Sequence, residues 1–474
     1  MFSTVAVPVW LLVLVGVFAA WAALDRLLIP SVRWFLRSRV NKVLDQIGSR
    51  LQVEIPSITL TRRQVLIDRL MYDAQVQKAA EQYAAENKMP REVAMEQVGR
   101  YAREIIPAFN AYFYFRIGYW LARKVTRLLY RVRLGYMDEA GLRAIGSKST
   151  PVFIINHRSN MDYVVVAFMV GERAAISYAV GEWARTWPLS ALIRAVGGFF
   201  VRRNSNNPLY RKVLERYVNM ATSGGVPQAI FPEGGLSRDG RLREPKIGLI
   251  DYMMRGFDPA DERDVVFIPV GLNYDRVLED RTLLLKLDPD ATKRGKFYAL
   301  GKACGFFFKQ IWLMVRRRWY RFGYACVNFG TPISMRAYMN ERGFVIGKLP
   351  PERRIEEVQK LTTFLMGKIT DVVPVLPVAL IATVFRQRQS LMLTELEVKA
   401  GAQSIMAELE RRGARIYIPR EDRDYAIGVG LRMLKLRHLI NEEDGFLSVD
   451  EKNMPVLSYY ANSIEHLVPS ATKA

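Results

Sequence analysis

The stretch VFIINHRSNMDYVVVAF, from Val152 to Phe168, places the strongest constraint on how this chain folds. Its apolar start, Val152–Ile155, is typical of a buried strand, and the apolar run at its end predicts a helix that Asn160 can cap. The polar loop between the two carries His157 and, five residues later, Asp162. On a continuous helix these two side chains would point about 140° apart. A loop that turns between strand and helix can instead bring the carboxylate back onto the imidazole.

A histidine paired with a carboxylate is the combination that base-catalysed acyl transfer requires. The imidazole can take a hydroxyl proton near neutral pH, while a carboxylate on its other nitrogen fixes the tautomer and stabilises the imidazolium. We therefore predict that His157 and Asp162 are catalytic. The alternative at this point is a solvated loop histidine followed by an aspartate that only caps the helix.

Short β-rich runs alternate with helical segments beyond Asp138, which predicts an α/β domain. Each run ends in a polar or glycine-containing loop, the position at which sites collect in such sheets. The runs are Val152–Ile155, Ile176–Val180, Gln228–Phe231, Val265–Val270 and Tyr324–Phe329.

The flanking regions have a helix-forming composition. Thr61–Ile106 predicts two helices with a break at Met89-Pro90, and Pro351–Thr370 predicts another. Pro374–Phe385 is apolar but too short to span a bilayer, so we expect it to pack in the core or to line a lipid groove. The predicted regions are a transmembrane anchor at 1–30, a helical membrane-proximal region at 31–137, the α/β domain at 138–349 and a helical region at 350–474.

The amino terminus predicts a membrane anchor. Val5 to Leu24 is a run of 20 residues without a charge, which is long enough to cross a bilayer. Basic residues follow the run and none precedes it, so the positive-inside rule places the body of the protein on the cytoplasmic side of the inner (cell) membrane. A secretory signal would have a basic start and a shorter apolar core. A buried core helix is the remaining alternative.

The net charge of +22, from 69 Lys and Arg against 47 Asp and Glu, predicts attraction to an anionic partner. The sequence has no nucleic-acid-binding motif, which favours membrane lipid or an acidic carrier protein over nucleic acid. A basic, aromatic helix within Pro107–Met137 either lies in lipid headgroups or packs with its arginines in water. Its apolar face comprises Phe113, Ile117, Leu121 and Leu128, and its basic face comprises Arg116, Arg123, Lys124, Arg127 and Arg131. Phe306–Arg321 is a second segment of this kind.

Only two cysteines and three histidines occur in the chain. Cys304 and Cys326 lie outside the polar loops, so we expect no covalent cysteine intermediate, and the loops lack the ligand clusters of a metal site. His438 and His466 are expected to be structural. His157 is then the histidine available for chemistry.

Three further loops follow strands. GGFFVRRN places two glycines before Arg202 and Arg203, and FPEGGLSRDGRLREPKIG, Phe231–Gly248, combines glycines with several basic residues. FIPVGLNYDRV, Phe267–Val277, is a buried strand that runs into a polar end. Glycine amides can hold an anion, and arginine forks suit phosphate oxygens. Each loop alone could be a surface turn, but four in order at strand ends indicate a common site.

These loops together resemble the membrane glycerolipid acyltransferases, specifically the glycerol-3-phosphate and dihydroxyacetone-phosphate acyltransferase group. NHRSNMDY resembles the family's HxxxxD block, and GGFFVRR resembles its GxFFxRR block. The long loop is similar to FxEGxxSRxGxxxxPKxG, and IPVGLNYDRV is similar to IPVxxxYDRV. VNFGTPISM, Val327–Met335, and VLSYYANSIEHLV, Val456–Val468, resemble stretches nearer the family's carboxyl end, so the resemblance runs from Pro151 to the end.

The resemblance implies a role for each matching residue. His157 would be the general base, Asp162 its orienting partner, and Pro269 a part of the pocket wall. The residues that would bind the acceptor and its phosphate are Arg202, Arg203, Glu233, Gly234, Ser237, Arg238 and Lys246. One departure is Leu236, where the family commonly has an arginine, and Arg238, Arg241 and Lys246 of the same loop could compensate.

The resemblance also implies an inner-membrane enzyme that transfers an acyl chain from a thioester to the 1-hydroxyl of glycerol 3-phosphate. The product would be lysophosphatidic acid, and the reaction would be the first step of phospholipid synthesis. Acyl-CoA and acyl-carrier protein are the expected donors, acyl-phosphate stays open, and no cofactor is expected. The enzymatic alternatives are acylation of dihydroxyacetone phosphate or of lysophosphatidic acid. The non-enzymatic alternative is a membrane adaptor with an inactive acyltransferase fold.

Overall fold

The computed structural model describes residue 58 and residues 61–171, 175–181, 185, 189–202, 205–285, 287, 321–388 and 392–468. The predicted anchor at 1–30 and most of Phe306–Arg321 lie outside these ranges, as do Arg203 and Cys304. Within them, no helix combines the length and the apolar character needed to cross a membrane.

A mixed sheet of eight strands forms the centre of the described part of the chain. The strands are β1 (Arg131–Met137), β2 (Ser149–Ile155), β3 (Ser177–Gly181), β4 (Phe199–Val201), β5 (Gln228–Ile230), β6 (Asp264–Tyr274), β7 (Tyr324–Phe329) and β8 (Ile333–Ser334). Their order across the sheet is β1-β7-β6-β2-β5-β3-β4, and β8 pairs with β6 beside this path.

Strands β6, β2, β5, β3 and β4 run parallel, so their carboxyl ends meet at one edge of the sheet. Strand β7 runs antiparallel to β6 and parallel to β1. Side chains along β2 alternate between two cores, with Val152 and Ile154 in one and Phe153 and Ile155 in the other. Both faces of the strand are therefore buried, which explains why its sequence is continuously apolar.

Helices flank the sheet on both faces. Those that precede the sheet are α1 (Arg63–Met71), α2 (Ala74–Glu86), α3 (Arg91–Ile105) and α4 (Tyr119–Leu129), the last continuing from a π-helical segment, Phe113–Gly118. Those between the strands are α5 (Glu139–Arg143), α6 (Asp162–Val170), α7 (Leu189–Ala195), α8 (Pro208–Ser223), α9 (Gly248–Arg255) and α10 (Asp280–Leu285). Those that follow are α11 (Met335–Arg342), α12 (Pro351–Thr370), α13 (Pro377–Gln387), α14 (Glu395–Arg411), α15 (Arg423–Leu436) and α16 (Met454–Asn462).

The helices divide between the two cores. Helices α1 to α3, α8, α9, α11 and α12 share the core that contains Val152. Helices α6, α10 and α13 to α16 share the core that contains Phe153. The apolar segment predicted at Pro374–Phe385 supplies α13, whose residues from Pro377 to Phe385 are all buried. It packs in the core, one of the two expected places. A small antiparallel sheet lies beside α14 and α15 and consists of β9 (Leu393–Thr394), β10 (Asn441–Glu443) and β11 (Phe446–Ser448).

The predicted α/β class is confirmed, and each of the five predicted runs contains a strand. The helices on either side of Met89-Pro90 occur as α2 and α3, and Pro351–Thr370 occurs as α12. Thr61–Ile106 contains a third helix, α1, because the chain breaks again before Ala74, where Asp73 caps α2. Strands β1, β4 and β8 of this sheet were not predicted, and neither were β9 to β11, which lie in the region 350–474 that was expected to be helical. Strand β1 is mostly exposed at the sheet edge, so its sequence RVRLGYM lacks the apolar run of a central strand. The sheet therefore begins before residue 138, where the sequence placed the start of the α/β domain.

Candidate active site

Three loops meet where β2, β5 and β6 end. Strand β2 pairs in parallel with both β5 and β6, so the chain beyond Ile155, Ile230 and Tyr274 lies at the same edge of the sheet. This edge is where ligand sites form in α/β folds. The loop after β2 carries His157, and the loop after β5 carries Glu233.

The loop after β2 brings His157 and Asp162 into contact. His157 Nδ1 lies 2.9 Å from Asp162 Oδ2, and the two residues are 2% and 0% exposed. The same carboxylate oxygen accepts the backbone N–H groups of Arg158 and Ser159 at 2.7 and 3.0 Å. Because backbone amides can only donate, Oδ2 is an acceptor, and the proton it shares with the imidazole sits on Nδ1. The other ring nitrogen, Nε2, then carries the lone pair that can take a proton.

The second oxygen of Asp162 is fixed by Tyr274, the last residue of β6. The Tyr274 hydroxyl donates to Asp162 Oδ1 at 2.7 Å. Burial raises the pKa of this phenol well above its ordinary value, so the hydroxyl keeps its proton. Asp162 thus accepts four hydrogen bonds, which is how a fully buried carboxylate is stabilised. The sequence marked Tyr274 only as the end of a buried strand.

Asn160 does not cap α6, contrary to the sequence prediction. The helix begins at Asp162, whose N–H donates to Ser159 O at 3.0 Å, and no side chain caps its start. Asn160 donates instead to Glu279 Oε1, through its backbone at 3.2 Å and its side chain at 3.0 Å. Ser159 Oγ donates to Glu279 Oε2 at 2.8 Å. Glu279 lies in the segment that follows β6 and therefore fixes the loop after β2 in place. It was not among the residues predicted for the site.

The imidazole of His157 lies against two aromatic rings and beside a cavity. Its ring centroid is 4.1 Å from that of Phe231 and 5.6 Å from that of Tyr163. Tyr163 also lines an apolar cavity of about 300 Å³ between α4, α6 and α7. The apolar side chains around this cavity include Leu121, Val125, Val164, Ala167, Leu192 and Val196. The Tyr163 ring therefore lies between the candidate base and a space suited to a hydrocarbon chain.

Glu233 lies behind the loop of the base and is 1% exposed. Its Oε1 accepts the His157 N–H at 2.7 Å, and its Oε2 accepts the Arg243 N–H at 2.9 Å. Burial raises the pKa of this carboxyl to about 7, although both amide bonds favour the charged form. Glu233 was predicted to bind the acceptor, but both of its oxygens are used to join two loops of the protein.

Gly234 and Ser237 shape the long loop after β5. Gly234 has φ +64°, in the left-handed region that favours glycine, and a β-carbon there would lie 2.8 Å from Lys246 Cδ and displace that side chain. The Ser237 hydroxyl donates to Arg241 O at 2.6 Å, and the backbone N–H of Ser237 donates to His157 O at 2.9 Å. Both predicted acceptor residues thus hold the long loop in shape, and Ser237 attaches it to the backbone of the base.

Arg202, a predicted phosphate ligand, is bound to a carboxylate of α3. Its Nε and Nη2 lie 2.8 and 2.6 Å from the two oxygens of Glu104. Its guanidinium also lies over the rings of Tyr101 and Tyr210, at 5.3 and 5.0 Å from their centroids. Arg185 contacts the same carboxylate at 3.0 Å. The fork of Arg202 is therefore already occupied within the protein.

Arg202 lies away from the strand that carries His157, whereas Arg238 and Lys246 lie in the long loop that contacts it. Arg202 follows β4, three strands from the strand that carries His157, a separation of about 14 Å across the sheet. Arg203 lies outside the described residues. Arg238 and Lys246 are exposed in the loop that Ser237 attaches to the base, and neither forms an ion pair with a described residue. Of the predicted cations that the structure describes, these two are free to bind an anion.

Cys326, in β7, is fully buried. Burial raises the pKa of its thiol to about 12, so it is protonated at neutral pH and unsuited to nucleophilic attack. In the part of the chain that the structure describes, no group of three or more His, Cys, Asp or Glu side chains could hold a metal ion.

Two family models match the chain. The model for Acyltransferase matches residues 138–273, and the model for Glycerol-3-phosphate acyltransferase C-terminal region matches residues 309–471. The chain thus carries an acyltransferase domain followed by a region similar to the C-terminal region of glycerol-3-phosphate acyltransferases. The family resemblance of the sequence motifs is thereby confirmed.

Curated members of the glycerol-3-phosphate acyltransferase family are longer than this chain. The protein of that name from Aeromonas hydrophila is 27% identical over 90% of this chain and 53% of its own length. The one from Ectopseudomonas mendocina is 27% identical over 86% of this chain and 49% of its own length. The chain thus spans about half the length of the curated relatives it matches. Among solved structures, the chain matches the crystal structure of the 1-acyl-sn-glycerophosphate (LPA) acyltransferase PlsC from Thermotoga maritima with a TM-score of 0.30 and 17% sequence identity. The match covers 52% of this chain and 77% of the PlsC chain.

The region matched by the C-terminal model of the glycerol-3-phosphate acyltransferases contacts the loops of the site. Arg158, which follows the base, is 1% exposed and donates to Gly240 O and Ser463 O at 2.7 and 3.0 Å. A β-carbon on Gly240 would lie 1.9 Å from Tyr459 O, so α16 packs directly on the long loop. The C-terminal region therefore supports both the base and the long loop. The sequence analysis missed Arg158 because only the fold reveals its two carbonyl partners.

Proposed function

We propose that this protein is a glycerol-3-phosphate 1-O-acyltransferase. It transfers a fatty acyl group from acyl-CoA or acyl-carrier protein to the 1-hydroxyl of glycerol 3-phosphate and releases lysophosphatidic acid. The observation that carries the proposal is the 2.9 Å contact between His157 Nδ1 and Asp162 Oδ2, with Tyr163 linking the imidazole to an apolar cavity. The names of its relatives and the C-terminal region that it shares with them favour glycerol 3-phosphate as the acceptor.

The reaction follows from the orientation of the imidazole. His157 Nε2 takes the proton of the acceptor hydroxyl while its oxygen attacks the thioester carbonyl. The Asp162 carboxylate stabilises the imidazolium that results. When the tetrahedral intermediate collapses, the carbon–sulfur bond breaks, and the imidazolium returns its proton to the departing thiolate. The acyl chain passes directly from donor to acceptor, so the mechanism needs neither a covalent enzyme intermediate nor a cofactor.

The two substrates need opposite surroundings. The cavity lined by α4, α6 and α7 offers apolar walls for the acyl chain next to His157. The long loop offers the exposed charges of Arg238 and Lys246 for the phosphate of the acceptor. The base thus lies between an apolar space and a cationic loop, as a reaction between a lipid thioester and a phosphorylated alcohol requires.

An acyl-transfer assay on the purified full-length chain tests the proposal. We expect wild-type protein to acylate glycerol 3-phosphate with a kcat/KM at least about tenfold above that for dihydroxyacetone phosphate or lysophosphatidic acid. Each acceptor is crossed with acyl-CoA, acyl-carrier protein and acyl-phosphate, so that the donor is identified in the same experiment. A preference for another acceptor would replace the proposed substrate. Absence of transfer with every pair would favour the non-enzymatic adaptor.

We further propose that the enzyme works at the cytoplasmic surface of the inner membrane, with α4 against the lipid. Ile117, Trp120 and Leu128 on and beside this helix are 44%, 55% and 44% exposed. Exposed basic side chains accompany them on the same helix and the segment before it: Arg116, Arg123, Lys124 and Arg127. Apolar and basic groups exposed together suit a helix that lies in anionic headgroups. The opposite side of α4 lines the apolar cavity, so an acyl chain could pass from the bilayer toward the base.

Polar replacement of the exposed apolar side chains should weaken membrane retention. We expect Ile117→Ser, Trp120→Ser and Leu128→Ser together to lower binding to vesicles rich in anionic lipid by about tenfold or more. The effect should be largest in a chain that lacks residues 1–30, because the predicted anchor would otherwise retain the protein. Vesicle flotation measures the bound fraction. Leu396→Ser is the matched control, since Leu396 is 76% exposed on α14. Equal flotation of the triple variant and the control would contradict the proposed membrane surface.

A further inference from the structure

Basic residues surround the site, but several are neutralised by nearby carboxylates. Arg202 is bound to Glu104. Arg241 is bound to Glu465 through Nε at 2.5 Å and to Asp239 through Nη1 at 3.3 Å. Neither guanidinium is available to an anion without breaking an ion pair. The cations of the long loop that form no ion pair with a described residue are Arg238, Arg243 and Lys246.

Arg243 stands out among these three because its position is fixed by the site itself. Its N–H donates to Glu233 Oε2 at 2.9 Å, and its Nη1 donates to Leu236 O at 3.4 Å. The next peptide N–H, that of Ser237, donates to His157 O at 2.9 Å. A single peptide unit therefore lies between the guanidinium and the backbone of the base. The motif comparison had assigned no role to Arg243.

We propose that Arg243 also binds the phosphate of the acceptor, in addition to the loop cations Arg238 and Lys246. The proposal rests on the proposed function, which supplies a phosphate monoester as the substrate. Among the described residues, one long bond to a neutral carbonyl leaves most of the five guanidinium N–H groups unused, and a planar fork suits phosphate oxygens. The Leu236 side chain packs against the core of the protein. Leu236 therefore contributes the backbone carbonyl that binds Arg243. The positive charge is supplied by Arg243, seven residues further along the loop.

A purely structural arginine of this fold looks different. Arg158 is 1% exposed and donates to two carbonyl oxygens at 2.7 and 3.0 Å. Arg243 has one weaker side-chain bond and remains partly exposed. Its backbone N–H, not its guanidinium, makes the bond that joins the long loop to Glu233. Removing the guanidinium should therefore leave the loop attached while removing the charge.

The experiment compares Arg243→Gln with wild type by calorimetric binding of glycerol 3-phosphate and of inorganic phosphate. We expect both Kd values, and the KM for glycerol 3-phosphate, to rise by about 10- to 100-fold. The KM of the acyl donor should change by less than about twofold, because its chain occupies the apolar cavity. Arg263→Gln is the matched control. Arg263 also donates only to carbonyl oxygens, those of Ser147 and Ser149 at 3.3 Å, but lies at the opposite edge of the sheet.

The outcomes separate this inference from the proposed function. If Arg243→Gln binds both anions as wild type does, Arg243 is not a ligand, while the activity of the wild type stands. If the anions bind in an Arg243-dependent way but no acyl transfer occurs, the proposed function fails and the binding site stands. If Arg243→Gln unfolds at a markedly lower temperature, Arg243→Lys decides. Lysine keeps the positive charge but lacks the planar, two-pronged guanidinium, so the Kd for each anion should rise at least about threefold. An unchanged Kd would overturn the inference.

Discussion

Replacing His157 with alanine is expected to lower kcat by about 10⁴-fold or more, the usual loss when a general base of this kind is removed. No nearby group can take over its role. Both oxygens of Asp162 accept hydrogen bonds, from the Tyr274 hydroxyl and from two backbone amides. Both oxygens of Glu233 also accept from backbone amides. The two neighbours of the imidazole ring are the aromatic side chains of Phe231 and Tyr163. The measurement is single-turnover acyl transfer at saturating donor and acceptor.

The alanine variant should keep the fold, because the bonds that hold this loop come from the backbone of His157 and from Asp162. Its thermal midpoint and its membrane retention are therefore compared with those of wild type. His438→Asn serves as the matched control. His438 is exposed and has φ +53°, a conformation that asparagine also adopts. A folded His157→Ala protein with near-normal kcat would show that the base has been misassigned.

The sequence predicted the interior of the sheet better than its edges. Strands β2 and β6 are buried on both faces, so their continuous apolar runs were readable without knowing their neighbours. Strand β1 lies at one edge and alternates arginine with apolar residues, and β4 at the other edge has only three residues. Such edges depend on pairing partners that are distant in the chain. Strand β1, for instance, pairs with β7, which begins at Tyr324.

The same distinction applies to the site. His157 and Asp162 are five residues apart, so a turn between strand and helix was enough to predict their contact. Tyr274 reaches Asp162 across 112 residues, and Arg202 meets Glu104 across 98. These contacts follow from strand order and helix packing, which no local pattern encodes. Motif comparison could therefore name Arg202 as a basic residue of the site but could not show that its charge was already paired.

Replacing Asp162 with asparagine should lower kcat by about 10²- to 10³-fold while the fold is retained. The amide nitrogen of asparagine cannot occupy the position of Oδ2. The N–H groups of Arg158 and Ser159 both donate to that position, and an amide nitrogen cannot accept a hydrogen bond. It must face the Tyr274 hydroxyl instead, and the remaining oxygen still accepts from His157 Nδ1. The tautomer of the base is therefore preserved, and the loss comes from the missing negative charge that would stabilise the imidazolium.

If the charge of Asp162 stabilises the imidazolium, variants of Asp162 and Tyr274 should form a graded series that a purely structural role would not produce. Tyr274→Phe removes the bond to Oδ1 but keeps the charge, so its kcat should fall by only about tenfold. In both variants the KM values should stay within about threefold of wild type, because neither residue touches a substrate. Asp264→Asn is the matched control: this buried carboxylate accepts the Arg336 N–H at 3.0 Å at the opposite end of β6. If Asp162→Asn were no slower than Tyr274→Phe, charge stabilisation by Asp162 would have to be abandoned.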